Sequence, residues 1–220
     1  MNVLLRKLKN FVRREILRDP FLLTAKRWFK DQGDTTLRVN YPLNAQSVVW
    51  DVGGYKGDFA HEIHSRYGCK VYLFEPVPHF YAHCVERFKN NPSIVCLQYG
   101  LSNADGEFEI TDTGDASSFV RLGENNAAYK AQLRDASAVF HALGDPEVDL
   151  IKVNVEGGEF FIFPSLIEHG LMPKFNHLQI QFHNFVPNAV EQRQSIRQSF
   201  SKTHREDWNY EFVWEGWSRK

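Results

Sequence analysis

Two stretches of the 220-residue chain carry side chains whose types and order could do chemistry. The first is Val48-Val-Trp-Asp-Val-Gly-Gly-Tyr-Lys-Gly57, an apolar run that ends in Asp51 and passes directly into Gly53, Gly54 and Gly57. Glycines let a backbone turn sharply and approach a ligand with no Cβ in the way, and a following helix offers unpaired N–H groups in its first turn. A nucleotide-type pocket follows from that arrangement. The glycine spacing is not GxGxxG, which argues against a dinucleotide. Asp51 argues the same way, since a carboxylate there repels a pyrophosphate and suits a ligand carrying positive charge. The competing reading is a strand-turn-helix whose glycines serve only the turn.

Glu75, in Tyr72-Leu-Phe-Glu-Pro76, ends the next apolar run. An acid at that strand tip can accept hydrogen bonds from both hydroxyls of a ribose, or it can simply be solvated ahead of a turn. Leu101 and Ser102, in Gly100-Leu-Ser-Asn103, are placed either to line an adenine or to form an ordinary turn.

The second stretch is Asp149-Leu-Ile-Lys-Val-Asn-Val-Glu-Gly-Gly-Glu159, again a buried run releasing polar residues at its carboxyl end. Ligands of open α/β sheets bind outside that edge, so Lys152, Asn154, Glu156 and Glu159 are candidates to face an acceptor. Glu156 is a possible base, although either acid could instead cap the helix that begins near Gly158. In Gln179-Ile-Gln-Phe-His-Asn184, His183 stands at another strand end, where an ordinary imidazole titrates in the range needed to take a proton from a hydroxyl. Asn154, Glu156, His183 and Asn184 could also surround a divalent cation, but only one of the four carries a firm negative charge and no ligand spacing is diagnostic. No metal site is therefore assigned.

These residues need a scaffold, and the surrounding pattern supplies one. Short apolar runs at Val48–Val52, Lys70–Phe74, Ile94–Leu97, Asp149–Val153 and Leu178–Phe182 alternate with helical stretches from about Gly57 to Tyr67, Pro78 to Lys89 and Glu159 to His169. Alternating β and α elements predict an α/β fold with a mostly parallel central sheet flanked by helices. Glu107–Ile110, Ser137–Phe140 and Tyr210–Trp217 are weaker strand candidates.

Ahead of this domain, Leu4, Leu5, Leu8, Phe11, Val12 and Ile16 recur at helical spacing with basic residues between them, predicting an N-terminal basic amphipathic helix. It either lies on an anionic membrane or partner or packs its apolar stripe on the domain. Asp19-Pro20 interrupts it, an aromatic-rich segment through Trp28 and Phe29 follows, and residues 31 to 46 read as a connector. The chain thus divides into an extension over residues 1–46 and a main domain over residues 47–220.

At 43% hydrophobic and 24% charged, the composition is that of a folded globular protein. Three cysteines without a CxxC pair, Cys69, Cys84 and Cys96, suggest free thiols in a reducing compartment, so a cytoplasmic location is expected, with peripheral membrane contact through residues 1–30 left open. No run of about 18 apolar residues is present to span a bilayer, and the start of the chain lacks the features of a signal peptide.

With both polar clusters in view, the sequence resembles the FkbM-type family of S-adenosylmethionine-dependent methyltransferases over roughly Ser47 to His183. Asp51-Val-Gly-Gly-Tyr-Lys-Gly57 resembles the family's first cofactor loop, Phe74-Glu-Pro76 its second-strand acid, and Lys152-Val-Asn-Val-Glu-Gly-Gly-Glu159 its most characteristic signature. The resemblance implies a Rossmann-like class I methyltransferase fold and S-adenosylmethionine held by Asp51, Gly53, Gly54, Gly57, Glu75, Leu101 and Ser102. It also implies O-methylation of a sugar, glycan or secondary metabolite near Lys152, Asn154, Glu156 and His183. The signature usually has aspartate where this chain has Asn154, and Gln181 likewise replaces an acid. If that aspartate deprotonates the acceptor in relatives, Glu156 or His183 must do so here, or the fold survives as a non-catalytic binding or scaffold module. An NAD-dependent oxidoreductase is a further alternative, without a recognisable hydride-transfer constellation. A nucleic-acid substrate is disfavoured, because the signature strand ends in Asn154-Val-Glu-Gly157 and the chain beyond residue 30 is acidic.

Overall fold

The computed structural model describes residues 18–112, 117–118 and 128–220. In chain order these form α1 (Pro20–Lys30), α2 (Gly33–Thr36), β1 (Val48–Val52), α3 (Asp58–Tyr67), β2 (Lys70–Phe74), α4 (Pro78–Phe88) and β3 (Ile94–Leu97). Next come β4 (Gly100–Ser102), β5 (Gly106–Asp112), β6 (Ser117–Ser118), β7 (Ala128–Asp135) and α5 (Ala136–Ala142). The chain finishes with β8 (Val148–Val153), α6 (Glu159–Glu168), β9 (Phe175–Ile180), α7 (Ala189–Phe200), β10 (His204–Tyr210) and β11 (Trp214–Arg219). The basic amphipathic helix expected over Leu4 to Ile16 lies outside the described residues.

The central sheet has the order β10-β11-β9-β8-β1-β2-β3. Five strands, β3, β2, β1, β8 and β9, run parallel, so their carboxyl ends share one edge. The return strand β11 is antiparallel to β9, and β10 is antiparallel to β11. Alternation along each strand sorts side chains onto two faces. Trp50, Val52, Ile151, Val153, Leu178 and Ile180 join one core, which α5, α6 and α7 cover. Val49, Val71, Leu73 and Leu150 join the other, under α3 and α4. Residues Val39, Tyr41 and Leu43 are buried in this second core, so much of the segment between α2 and β1 is packing material as well as a connector. The pairing also aligns a polar row on that face, Asp51 beside Lys152 and Lys152 beside Gln179.

A second sheet of order β4-β7-β5-β6 is inserted between β3 and β8. It takes up Glu107–Ile110 as expected for a strand, within β5. Ser137–Phe140, by contrast, is helical within α5, because the Asp135 carboxylate accepts the Ala138 N–H (2.8 Å) and starts a helix there. The terminal segment is a hairpin and not a single strand: Phe212 adopts φ +57° between β10 and β11. The polar sequence of β10, His204-Arg-Glu-Asp-Trp-Asn-Tyr210, has no apolar alternation that would mark it. Trp28 of α1 packs against this hairpin, with its ring 5.1 Å from that of Tyr210 and 5.8 Å from that of Trp208.

Candidate active site

The turn between β1 and α3 is held by backbone. Gly53 and Gly54 both donate to the Phe74 carbonyl at 3.0 Å, which ties the turn to the end of β2. Gly53 adopts φ +84°, and a Cβ there would stand 2.0 Å from the Asn154 carbonyl oxygen. The position therefore excludes any side chain on two grounds, dihedral and contact. Tyr55, at φ +50°, donates its N–H to Glu75 Oε2 (2.7 Å), and Val77 donates to Oε1 (2.8 Å). Burial pushes the Glu75 carboxyl up to about 7, even though these two N–H groups and the Lys152 charge favour the ionised form.

Behind that turn lies a buried ion pair. Lys152 Nζ sits 2.9 Å from Asp51 Oδ1 and 2.8 Å from the Gly53 carbonyl oxygen. Asp51 is fully buried, and its second oxygen, Oδ2, has no hydrogen-bond partner among the described residues. The positive charge expected near Asp51 is thus supplied in the first place by the chain itself. Lys152, expected to face an acceptor, is committed to holding β1 and β8 together at their tips.

The tips of β8 and β9 carry a different arrangement. Glu159, fully buried at the first position of α6, accepts the Gly157 N–H on Oε2 (3.0 Å) and the His183 backbone N–H on Oε1 (2.8 Å). The same Oε1 lies 3.0 Å from His183 Nδ1, and Glu156 Oε1 lies 3.5 Å from His183 Nε2. Burial alone would lower the His183 pKa, but hydrogen bonds and charge from Glu156 and Glu159 outweigh it and raise it to about 9. His183 is then an imidazolium at neutral pH. An ordinary histidine of pKa near 6.5 would act as a base there; this one already holds its proton, because two carboxylates flank it. Glu156 has φ +51°, a backbone region that a non-glycine residue enters only at a cost of about 1–3 kcal/mol, and remains partly exposed.

A cavity of about 250 Å³ opens over the carboxyl edge of the parallel strands. Its walls include Gly53, Gly54, Glu75, Leu101, Lys152, Asn154 and Glu156, all anticipated from the sequence. Asp51, Gly57, Ser102 and His183 are not on its surface. Gly57 (φ +77°) is the N-cap of α3, where a Cβ would stand 2.6 Å from the Phe88 ring, and Ser102 Oγ turns to Asn103. Asn154 Oδ1 is buried without a hydrogen-bond partner among the described residues. Other lining residues had no marker in the sequence: Arg38 from the segment before β1, Phe59, Val77, and the Tyr55–Phe80 pair, whose ring centroids are 4.4 Å apart. Among the described residues, no group of three or more His, Cys, Asp or Glu side chains could hold a metal ion, and no helix is long and apolar enough to cross a membrane.

The family model of the methyltransferase FkbM domain matches residues 51–212. The chain belongs to the FkbM methyltransferase family. A methyltransferase of this family uses S-adenosylmethionine by implication, and the Rossmann-like class I fold agrees with solved structures. One described as an rRNA methylase from Clostridium thermocellum superposes with a TM-score of 0.55 at 8% identity, covering 86% of this chain and 94% of that one. A methyltransferase FkbM from Methylobacillus flagellatus is similar over 81% of this chain, with a TM-score of 0.49 and 11% identity. This FkbM-family chain spans 44% of the length of that protein. Comparison with curated protein sequences returns no match.

Proposed function

We propose that this protein is an S-adenosylmethionine-dependent O-methyltransferase that methylates a hydroxyl of a sugar, glycan or secondary-metabolite acceptor. The observation that carries the reading is the carboxylate of Glu156 on the wall of the same cavity as the Gly53 turn and Glu75. O-methylation needs a methyl donor site and a group to receive the hydroxyl proton, and both are at one sheet edge.

The residues present suit the donor. Gly53 lets the turn close against the Asn154 carbonyl, where a Cβ would clash, and Glu75, fixed by two backbone N–H groups, keeps lone pairs for ribose hydroxyls. Gly100, Leu101, Val77 and Phe80 offer apolar walls for an adenine, and the unpartnered Asn154 Oδ1 can accept from an ammonium or an acceptor hydroxyl. The bound donor supplies an electrophilic methyl group. Glu156 receives the proton released from the acceptor oxygen as the new O–C bond forms. His183 holds Glu156 in place as a charged hydrogen-bond donor, and Glu159 holds His183. A positioned base of this kind contributes about 100- to 10,000-fold, with orientation of the two reactants supplying much of the rest.

Calorimetric titration with S-adenosylhomocysteine, with NAD as the control, tests the donor site. Micromolar binding of the first and none of the second is expected. Turnover with hydroxylated acceptors then tests the chemistry, where Glu156→Gln should lower kcat at least 100-fold with unchanged S-adenosylhomocysteine affinity. Donor binding without transfer to any acceptor would favour the non-catalytic module, the reading to which Asn154 and Gln181 lend support.

A further inference from the structure

Among the described residues the cavity wall carries two cations, and only one of them is held in a buried ion pair. Lys152 gives its ammonium to Asp51 and the Gly53 carbonyl and is 5% exposed. Arg38 is different. Its guanidinium carbon lies 4.2 Å from the centroid of the Trp214 ring and 5.9 Å from that of Phe59, so the group packs against both rings. Nη1 donates to Asp34 (3.0 Å), Nε lies 3.2 Å from the Gln179 amide, and Nη2 has no partner among the described residues. The Arg38 side chain is 22% exposed, and Asp34, at 50%, is a solvent-screened counter-ion that holds it only weakly. A ligand oxyanion can therefore recruit this fork without breaking a buried pair.

Arg38 precedes, and Trp214 follows, the 51–212 region that the family model matches. The chain folds the later flank against Arg38, which itself lines the cavity. We infer that Arg38, stacked on Trp214, is an oxyanion-binding residue of this pocket, recognising a carboxylate or phosphate-type group on the bound molecules. Two sources share that chemistry: the amino-acid carboxylate of the methyl donor and an acidic group on the acceptor. The inference deepens the methyltransferase reading and rests on it for the identity of the ligands, although not for the presence of the anion site.

The test compares wild type with Arg38→Met, which keeps the apolar stem, and Arg38→Lys, which keeps the charge but loses the fork; thermal unfolding establishes that each is folded. S-adenosylhomocysteine and 5′-methylthioadenosine, which lacks the amino-acid tail, are titrated calorimetrically, and inorganic phosphate is titrated with and without S-adenosylhomocysteine. If the donor carboxylate is the ligand, Arg38→Met weakens S-adenosylhomocysteine about 10- to 100-fold and leaves 5′-methylthioadenosine unchanged, with Arg38→Lys intermediate. If the acceptor supplies the anion, both nucleosides bind all variants equally, and phosphate binds the loaded wild type but not Arg38→Met. Equal affinities of folded wild type and Arg38→Met for both nucleosides and for phosphate overturn the proposal. Should wild type bind neither nucleoside, the donor-site reading fails, while phosphate binding to the unloaded protein still decides the role of Arg38.

Discussion

At the Gly53–Glu75 end the cavity is shaped by backbone, and at the Glu156–His183 end by charged side chains. The first end has two N–H groups converging on the Phe74 carbonyl and two more converging on Glu75, with Gly53 closing to contact distance from the neighbouring loop. The second hangs on one carboxylate, Glu159, which gathers the Gly157 N–H, the His183 N–H and the His183 ring. Backbone geometry fails by steric exclusion and takes binding with it. A charge cluster fails by losing a partner, and its failure depends on pH.

Substitution at the two ends should expose that contrast. The largest effect is expected for Gly53→Ala, where the new Cβ meets a backbone oxygen and the left-handed φ adds strain. Loss of detectable S-adenosylhomocysteine binding, with destabilisation of about 3 kcal/mol or more in urea unfolding, is the expected outcome. Glu159→Gln should cost about 3–5 kcal/mol of stability by leaving His183 buried without its carboxylate, and NMR titration should show the His183 pKa falling toward the ordinary range.

A smaller effect separates the ends by pH. The folded pKa of His183 is raised from 6.5 to about 9, so its contribution is complete below about pH 6.5 and is lost as pH rises through about 9. The amount is on the order of 3 kcal/mol. Urea unfolding between pH 6 and pH 10 should show this decline in wild type and its disappearance in His183→Gln. An unchanged slope in that variant would remove the charge-cluster account of this end. The smallest change, Glu75→Ala, should weaken S-adenosylhomocysteine by about 10- to 100-fold, the worth of charge-assisted hydrogen bonds to a ribose, and leave the His183 titration untouched. Coupling of Glu75→Ala to that titration would mean that the two ends are one electrostatic unit.

The Gly53–Glu75 end was legible because its determinants are local. Val48–Val52 announces a buried strand, Gly53 and Gly54 mark the turn, and Glu75 follows its own strand by one residue. The Glu156–His183 end was legible only as a set of residue types. Glu156 and His183 belong to different strand tips, and nothing in the order of residues reveals that Glu159 joins them or that two carboxylates leave the imidazole charged. β10 has no marker in the sequence and α5 reads there as a strand for a related reason, since one packs through neighbours and the other is set by a cap at Asp135.

By itself, the sequence determined the alternating α/β order, the tight turn that only glycine can make, and the acids at strand ends, all consequences of periodicity and of which dihedrals each residue permits. Only the tertiary structure decided that Lys152 is consumed by Asp51, that His183 keeps its proton, and that Arg38, on the cavity wall, meets Trp214 from the other side of the matched region. Those outcomes depend on charges and rings separated by tens to more than a hundred residues, whose distances the packed sheet sets.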